Sequence, residues 1–240
     1  MANPSTHQHI SRQFDQELAD IRSNTLRLGG LAEDQTSLAI KALQGNDLTL
    51  AEEVIGDDRK LNQMEMSVNE QCMQILARRQ PIACDLRLVM AVIKVINDLE
   101  RIGDDAKRIA RITMSMAVNP PQPHKLTPIV AFGANVISLL HDTLDAFARI
   151  DVEAAMEIKQ RDRLLDLQYG NIMQDQINDM SNEPRVIPMA LNLMWVARKL
   201  ERIGDRSCNI CEHTINYAMG KDFHGKSKNG LAVVDKPPPL

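Results

Sequence analysis

Aromatic residues are scarce in this chain, with four Phe, two Tyr and one Trp making up 3% of 240 residues. β-Sandwiches and barrels draw on aromatic and β-branched side chains to fill a pleated interface, so the scarcity argues against them. Thirteen Met and a largely aliphatic remainder favour helix packed on helix. No uninterrupted apolar run approaches the ~20 residues that span a bilayer. The opening residues, MANPSTHQHISRQFDQ, lack the apolar centre of a signal peptide. A net charge of −4 leaves no basic footprint for nucleic acid.

Four cysteines without an export signal read as reduced cytosolic thiols. Cys208 and Cys211 form a CxxC, but inside a helical pattern and with no second CxxC to complete a zinc set. They read as half-buried small side chains rather than as a metal or redox pair. The six histidines show no ExxH spacing, which argues against a ferritin-like di-iron oxidase. A Gly-rich phosphate loop and a Ser/His/Asp arrangement are both missing.

What is present is helical periodicity. Six amphipathic segments span roughly 10–44, 47–79, 84–117, 125–149, 151–180 and 185–220. Apolar residues such as Val92, Ile96, Leu99 and Ala110 recur at helical spacing. Gly45-Asn46-Asp47 marks the first turn, and Asp47, Asp85 and Asp151 are candidate N-caps. Asn119-Pro120-Pro121-Gln122-Pro123 divides the helices into three and three, since its prolines lack N–H donors.

The halves are related. Asp47-Leu48 aligns with Asp151-Val152, and Asp58-Arg59 with Asp162-Arg163, both at an offset of 104 residues. The string ERIGD occurs at 100–104 and again at 201–205, an offset of 101, so the second half is three residues shorter in its middle turn. The fold expected is all-α, two tandem three-helix bundles. One repeat covers 8–118 and the other 124–221, followed by a flexible tail over 222–240 rich in Gly, Lys and Pro.

Each ERIGD places two carboxylates at i and i+4, on one helix face and about 5–6 Å apart at Cβ. Such a like-charge pair costs a few tenths of a kcal/mol in a solvated helix. Glu100/Asp104 and Glu201/Asp205 both accept that cost, at the edge of an apolar arc that includes Ile96, Leu99 and Gly103. Arg108 could neutralise Asp104, but its counterpart is Asn209, so it is not a device shared by both halves. The second helix of each half supplies a companion pair, Asp162/Asp166 in one and Asp58/Asn62 in the other. In an antiparallel hairpin these pairs would face the ERIGD pairs and form oxygen clusters suited to Mg²⁺, Mn²⁺ or iron. Gly103 and Gly204 cost about 1 kcal/mol each inside a helix, which makes sense where backbone or metal approaches closely. Two other readings stay open: a carboxylate-bridged metallohydrolase or oxidase, and a purely structural bundle with solvated carboxylates.

Four strings resemble the PhoU family: ARRQPIACDLRLVM at 77–90, DLERIGDDA at 98–106, LHDTLDAFARID at 140–151 and ERIGDRSCNICEH at 201–213. The likeness extends over about residues 8–224. It implies that E/DxxxD motifs on facing helices bind divalent or trivalent metal ions (Mg, Mn, Fe or Zn). The residues implicated are Asp58, Asn62, Glu100, Asp104, Asp162, Asp166, Glu201 and Asp205, with Asn62 weakening the first-half site. It further implies a non-catalytic, metal-binding adaptor that restrains the phosphate-starvation response and phosphate uptake. Its partners would be the ATPase subunit of a phosphate ABC transporter and the sensor histidine kinase of the phosphate two-component system. The resemblance also implies a cytoplasmic homodimer recruited peripherally to the inner membrane face, with no direct insertion and no nucleic-acid partner.

Overall fold

The computed structural model describes residues 12–220. The first half comprises α1 (Arg12–Gly45), α2 (Leu48–Arg79) and α3 (Ala83–Ser115). The second comprises α4 (Pro123–Arg149), α5 (Val152–Asn182) and α6 (Ile187–Met219), with a 3₁₀ turn at Pro184–Val186 leading into α6. No strand occurs among the described residues, so the all-α expectation holds. The expected tail over 222–240, and the outer repeat limits at residues 8 and 221, lie outside the described residues.

Local chemistry sets the helix ends. Asp47 accepts a hydrogen bond from the Leu50 backbone N–H at 3.0 Å, and Asp151 accepts from Ala154 at 3.0 Å. The same cap therefore starts the middle helix of both halves, each satisfying an otherwise orphaned donor. Asp85 is not a cap. α3 begins two residues earlier, behind Ile82, and Asp85 sits in its first turn, where a carboxylate favours the positive end of the helix dipole. Pro123 closes the proline-rich link by serving as the first residue of α4, a position that needs no N–H.

α3 and α6 run antiparallel through the centre, and their apolar faces supply much of one continuous core. Leu99, Ile102 and Ile109 of α3 and Val196, Leu200 and Ile203 of α6 are fully buried. α1 meets α4 beside them. An added Cβ at Gly29 would lie 2.5 Å from Leu144 Cδ2, and one at Gly133 would lie 3.0 Å from Ile40 Cδ1. Under the 104-residue repeat Gly29 corresponds to Gly133, and Ile40 to Leu144. Each contact is thus the image of the other, which places a pseudo-twofold axis between the halves.

The α3–α6 seam repeats that symmetry in charge. Asp98 pairs with Arg206 at 2.9 Å and with His213 Nε2 at 3.2 Å. Asp105 pairs with Lys199 at 3.3 Å and Arg202 at 3.2 Å, and more distantly with Arg108 at 3.6 Å. Asp98 and Lys199 occupy corresponding positions, as do Asp105 and Arg206. Arg108 therefore serves Asp105 across one turn of α3, rather than Asp104 as its i+4 spacing suggested. Both oxygens of Asp105 are buried and accept no well-directed hydrogen bond, so its attraction to these cations is chiefly coulombic.

Candidate functional site

The 3.6-residue period sends α3's acidic residues two ways. Asp98 and Asp105 face α6, whereas Glu100 and Asp104 turn to the opposite side, against α2. α6 mirrors the division. Lys199, Arg202 and Arg206 face α3, while Glu201 and Asp205 face α5. The charges flanking ERIGD, joined by Arg202 within it, therefore hold the halves together, while its two carboxylates point away from that seam.

In the second half the four expected carboxylates lie within electrostatic reach of one another. Asp162 is pushed above the usual carboxylate range by burial and by the nearby charges of Asp166 and Asp205. Burial likewise raises Glu201, helped by Asp205, Asp166 and Asp162, and opposed by Arg198. Asp205 is raised by burial and by Asp166, against the pull of Arg198, Arg206 and Arg202. Arg198 donates to Glu201 Oε1 at 2.6 Å, but Glu201 Oε2 is buried without a hydrogen-bond partner. Asp162, Asp205 and Cys208 line an open cleft of about 540 Å³ that Arg198, Arg202, Arg206 and Lys159 also border. The Cys208 thiol lies by Asp162, and burial with that carboxylate's charge pushes the thiol up, so it stays protonated. Cys211, its CxxC partner, turns into the core beside Thr143, where burial raises it to about 11. Both cysteines are free thiols.

The first half departs from this pattern. Glu100 is raised by burial and Asp104, then by Glu65 and Asp58, so these groups share one neighbourhood. Asp58, however, is bound by Lys107 Nζ at 2.5 Å, with the two side chains only 5% and 20% exposed. Asn62 donates to the same Asp58 oxygen at 3.5 Å. Sequence reasoning missed Glu65 and Lys107, and read Cys208 as half-buried, as it is, without placing it by Asp162. The signal was heptad spacing: Glu65 lies seven residues beyond Asp58, Lys107 beyond Glu100 and Cys208 beyond Glu201, on the same helix faces. Among the described residues, no three His, Cys, Asp or Glu side chains already converge tightly enough to hold an ion.

The two motif glycines differ as well. A Cβ on Gly103 would lie 2.7 Å from Leu61 Cδ1 and 3.0 Å from Gln35 Oε1, so close side-chain packing, not a metal, requires it. A Cβ on Gly204 would sit 3.5 Å from Asp162 Oδ1 and 3.6 Å from Leu165 Cδ1, which is ordinary contact. Gly204→Ala is expected to stabilise the protein by up to about 1 kcal/mol through helix propensity. Gly103→Ala is expected to destabilise it by roughly 1 kcal/mol, because overpacking against fully buried Leu61 exceeds that gain. Chemical denaturation of both variants checks the opposite signs.

With the clusters located, known proteins give them a context. A family model described as the PhoU domain matches twice, at residues 25–113 and 129–214. The chain belongs to the PhoU family. It is 43% identical over 231 residues to a Serratia marcescens protein named phosphate-specific transport system accessory protein PhoU, covering 96% of this chain and 95% of that one. The Escherichia coli (strain K12) protein of the same name is 42% identical, with 93% and 92% covered. The crystal structure of PhoU from Pseudomonas aeruginosa superimposes with a TM-score of 0.84 at 40% identity, covering 87% of this chain and all of that one. A phosphate transport system regulatory PhoU from Streptococcus pneumoniae gives 0.81 at 30% identity, with 87% and 98% covered. The PhoU relatives are thus named as transport accessory and regulatory proteins. No helix among the described residues is long and apolar enough to cross a membrane.

Proposed function

We propose that this chain is a non-catalytic adaptor of a phosphate uptake system. When phosphate is plentiful it restrains the phosphate-starvation response. It does so by coupling a phosphate ABC transporter, through the ATPase subunit, to the sensor histidine kinase of the phosphate two-component system. The names of its PhoU relatives support the phosphate-transport setting. Working as a homodimer held at the inner membrane face by those partners is part of the same reading.

The observation that carries the metal-binding part is the second-half cluster of Asp162, Asp166, Glu201 and Asp205, with its orphaned Glu201 oxygen. An all-oxygen set of this charge suits Mg²⁺, Mn²⁺, Fe or Zn, with the hard ions fitting best. A bound ion would supply positive charge and a link between α5 and α6. To hold an ion the carboxylates would have to draw closer, and rotamer changes of Asp166 and Asp205, both exposed, would bring them inward. Arg198 is about half exposed and leaves Glu201 at little cost.

Deleting the protein is expected to switch on phosphate-starvation genes in abundant phosphate, measured by a reporter. Unchanged repression would overturn the adaptor reading. Complementation with Glu201→Gln/Asp205→Asn separates the two parts, since full repression by that variant would remove metal from the mechanism and leave the adaptor. Turnover of a phosphate ester by the Mn²⁺-loaded protein, abolished by Glu201→Gln, would instead establish the metallohydrolase.

A further inference from the structure

We propose that Lys107 is a built-in cation that fills the metal position of the first half, so that each chain takes up divalent ions only at its second-half cluster. The inference rests on reading the carboxylate clusters as metal-binding. It concerns which of the two is open to an ion.

The halves correspond donor by donor. Across α5 and α6, Asp162 lies beside Asp205 and Cys208, with Asp166 closer to Glu201. Across α2 and α3 the corresponding residues are Asp58, Asp104 and Lys107, with Asn62 and Glu100; Asp58 meets Lys107, and Asn62 lies by Glu100. Corresponding positions thus hold an ammonium in one half and an uncharged thiol in the other. The Lys107 ammonium sits 2.5 Å from Asp58 Oδ2, and Asp58 is 5% exposed. A positive charge there opposes any second cation a few ångströms away, and it occupies the oxygen such an ion would bind. Asn62 removes a further anionic donor and turns its amide N–H towards the same Asp58 oxygen.

Glu65 does not restore the set. Seven residues along α2 place it about 10 Å from Asp58 along the helix axis. It lies there beside Asn62, Asn97 and Glu100, at the other end of the cleft. Asp58 Oδ1 and Asn62 Oδ1 remain buried without hydrogen-bond partners, so the first half keeps a polar cradle but is already neutralised where its buried carboxylate lies.

The second half also has a cation on a carboxylate, and burial decides why it remains open. Arg198 is 47% exposed and spans one turn of its own helix to Glu201. Such a pair is weak, and water replaces it readily. Lys107 is 20% exposed and bridges two helices to a buried partner, so releasing it strands a charge in the interior. Lys159, the other ammonium near the second cluster, is engaged by Glu212 at 2.6 Å.

The test is Mn²⁺ titration of the full chain by calorimetry and by thermal shift, with bound Mn²⁺ per chain counted after desalting. Wild type is expected to bind at one cluster, and Glu201→Gln/Asp205→Asn to lose all binding. Lys107→Cys/Asn62→Asp, which recreates the second-half pattern, is expected to double the bound Mn²⁺. That variant should be less stable than wild type in chelator and recover with Mn²⁺. Retention of half the bound Mn²⁺ by Glu201→Gln/Asp205→Asn would overturn the inference while leaving the metal reading intact. So would a Lys107→Cys/Asn62→Asp protein that folds, by circular dichroism, yet gains no Mn²⁺. If the latter variant does not fold, Glu201→Gln/Asp205→Asn decides alone. Absence of Mn²⁺ binding by wild type would overturn the metal reading and this inference together.

Discussion

Replacing Asp105 by alanine is expected to destabilise the protein by about 3 kcal/mol, the range for removing one partner from a buried charge cluster. For a chain of this size that corresponds to a fall of roughly 6–12 °C in melting temperature. Asp105 is 1% exposed and is the shared counter-charge of Lys199 and Arg202, which come from the other half. Its loss leaves Lys199, only 12% exposed, facing the α3–α6 seam without an anion. The cost lies in that stranded ammonium rather than in lost hydrogen bonds, because the Asp105 oxygens make no well-directed ones. Adding Lys199→Met should therefore return a substantial part of the stability. Thermal melts of the single and double variants test this, and a double variant no better than the single would show that the cost has another source.

Glu201→Gln/Asp205→Asn is expected to change stability in opposite directions with and without metal. In chelator the variant should be more stable than wild type, because it removes two mutually repelling charges, of which Glu201 is half-buried. In Mn²⁺ the order should reverse. Wild type gains about 2.7 kcal/mol when free ion reaches a hundredfold of its dissociation constant, and the variant gains nothing. The pH dependence follows the same logic. Carboxyls raised in the folded state, such as Glu201, Asp205 and Asp162, hold protons more tightly folded than unfolded. Stability from these groups is present at and below the ordinary carboxylate range near about pH 4 and is lost as pH rises through their raised folded values. Glu17, held down by its hydrogen bond to Arg79, runs the other way and loses its contribution as pH falls. In chelator the variant's profile should therefore be flatter above pH ~4 than that of wild type.

Residues 98–108 show how much of this was legible. The duplicated ERIGD announced the repeat, and i, i+4 spacing placed Glu100 with Asp104 on one face. The same period shows that Asp98 and Asp105 lie on the opposite side, yet spacing alone does not identify what waits there. Lys199, Arg202 and Arg206 are distant in sequence, and only the antiparallel α3–α6 packing brings them into range. Asn62 marked the first half as the weaker copy, and the structure adds a stronger reason in Lys107. Lys107 was overlooked because lysine on a helix usually faces solvent, and a partner on a neighbouring helix has no local signature. The caps at Asp47 and Asp151 were readable because a cap is a contact over three residues. Asp85 was misassigned because α3 starts two residues before it, without a side-chain cap.

The seam between α3 and α6 has a polarity with a consequence for assembly. All its buried carboxylates, Asp98 and Asp105, come from the first half, and its main cations, Lys199, Arg202 and Arg206, come from the second. Two first halves joined through α3 would set four carboxylates face to face. Two second halves joined through α6 would crowd six cations into one apolar contact. Only the unlike pairing sets opposite charges against each other. The duplicated helices have thus become a lock and key, and a newly made first half must wait for its own second half, or another chain's, before its inner face can close.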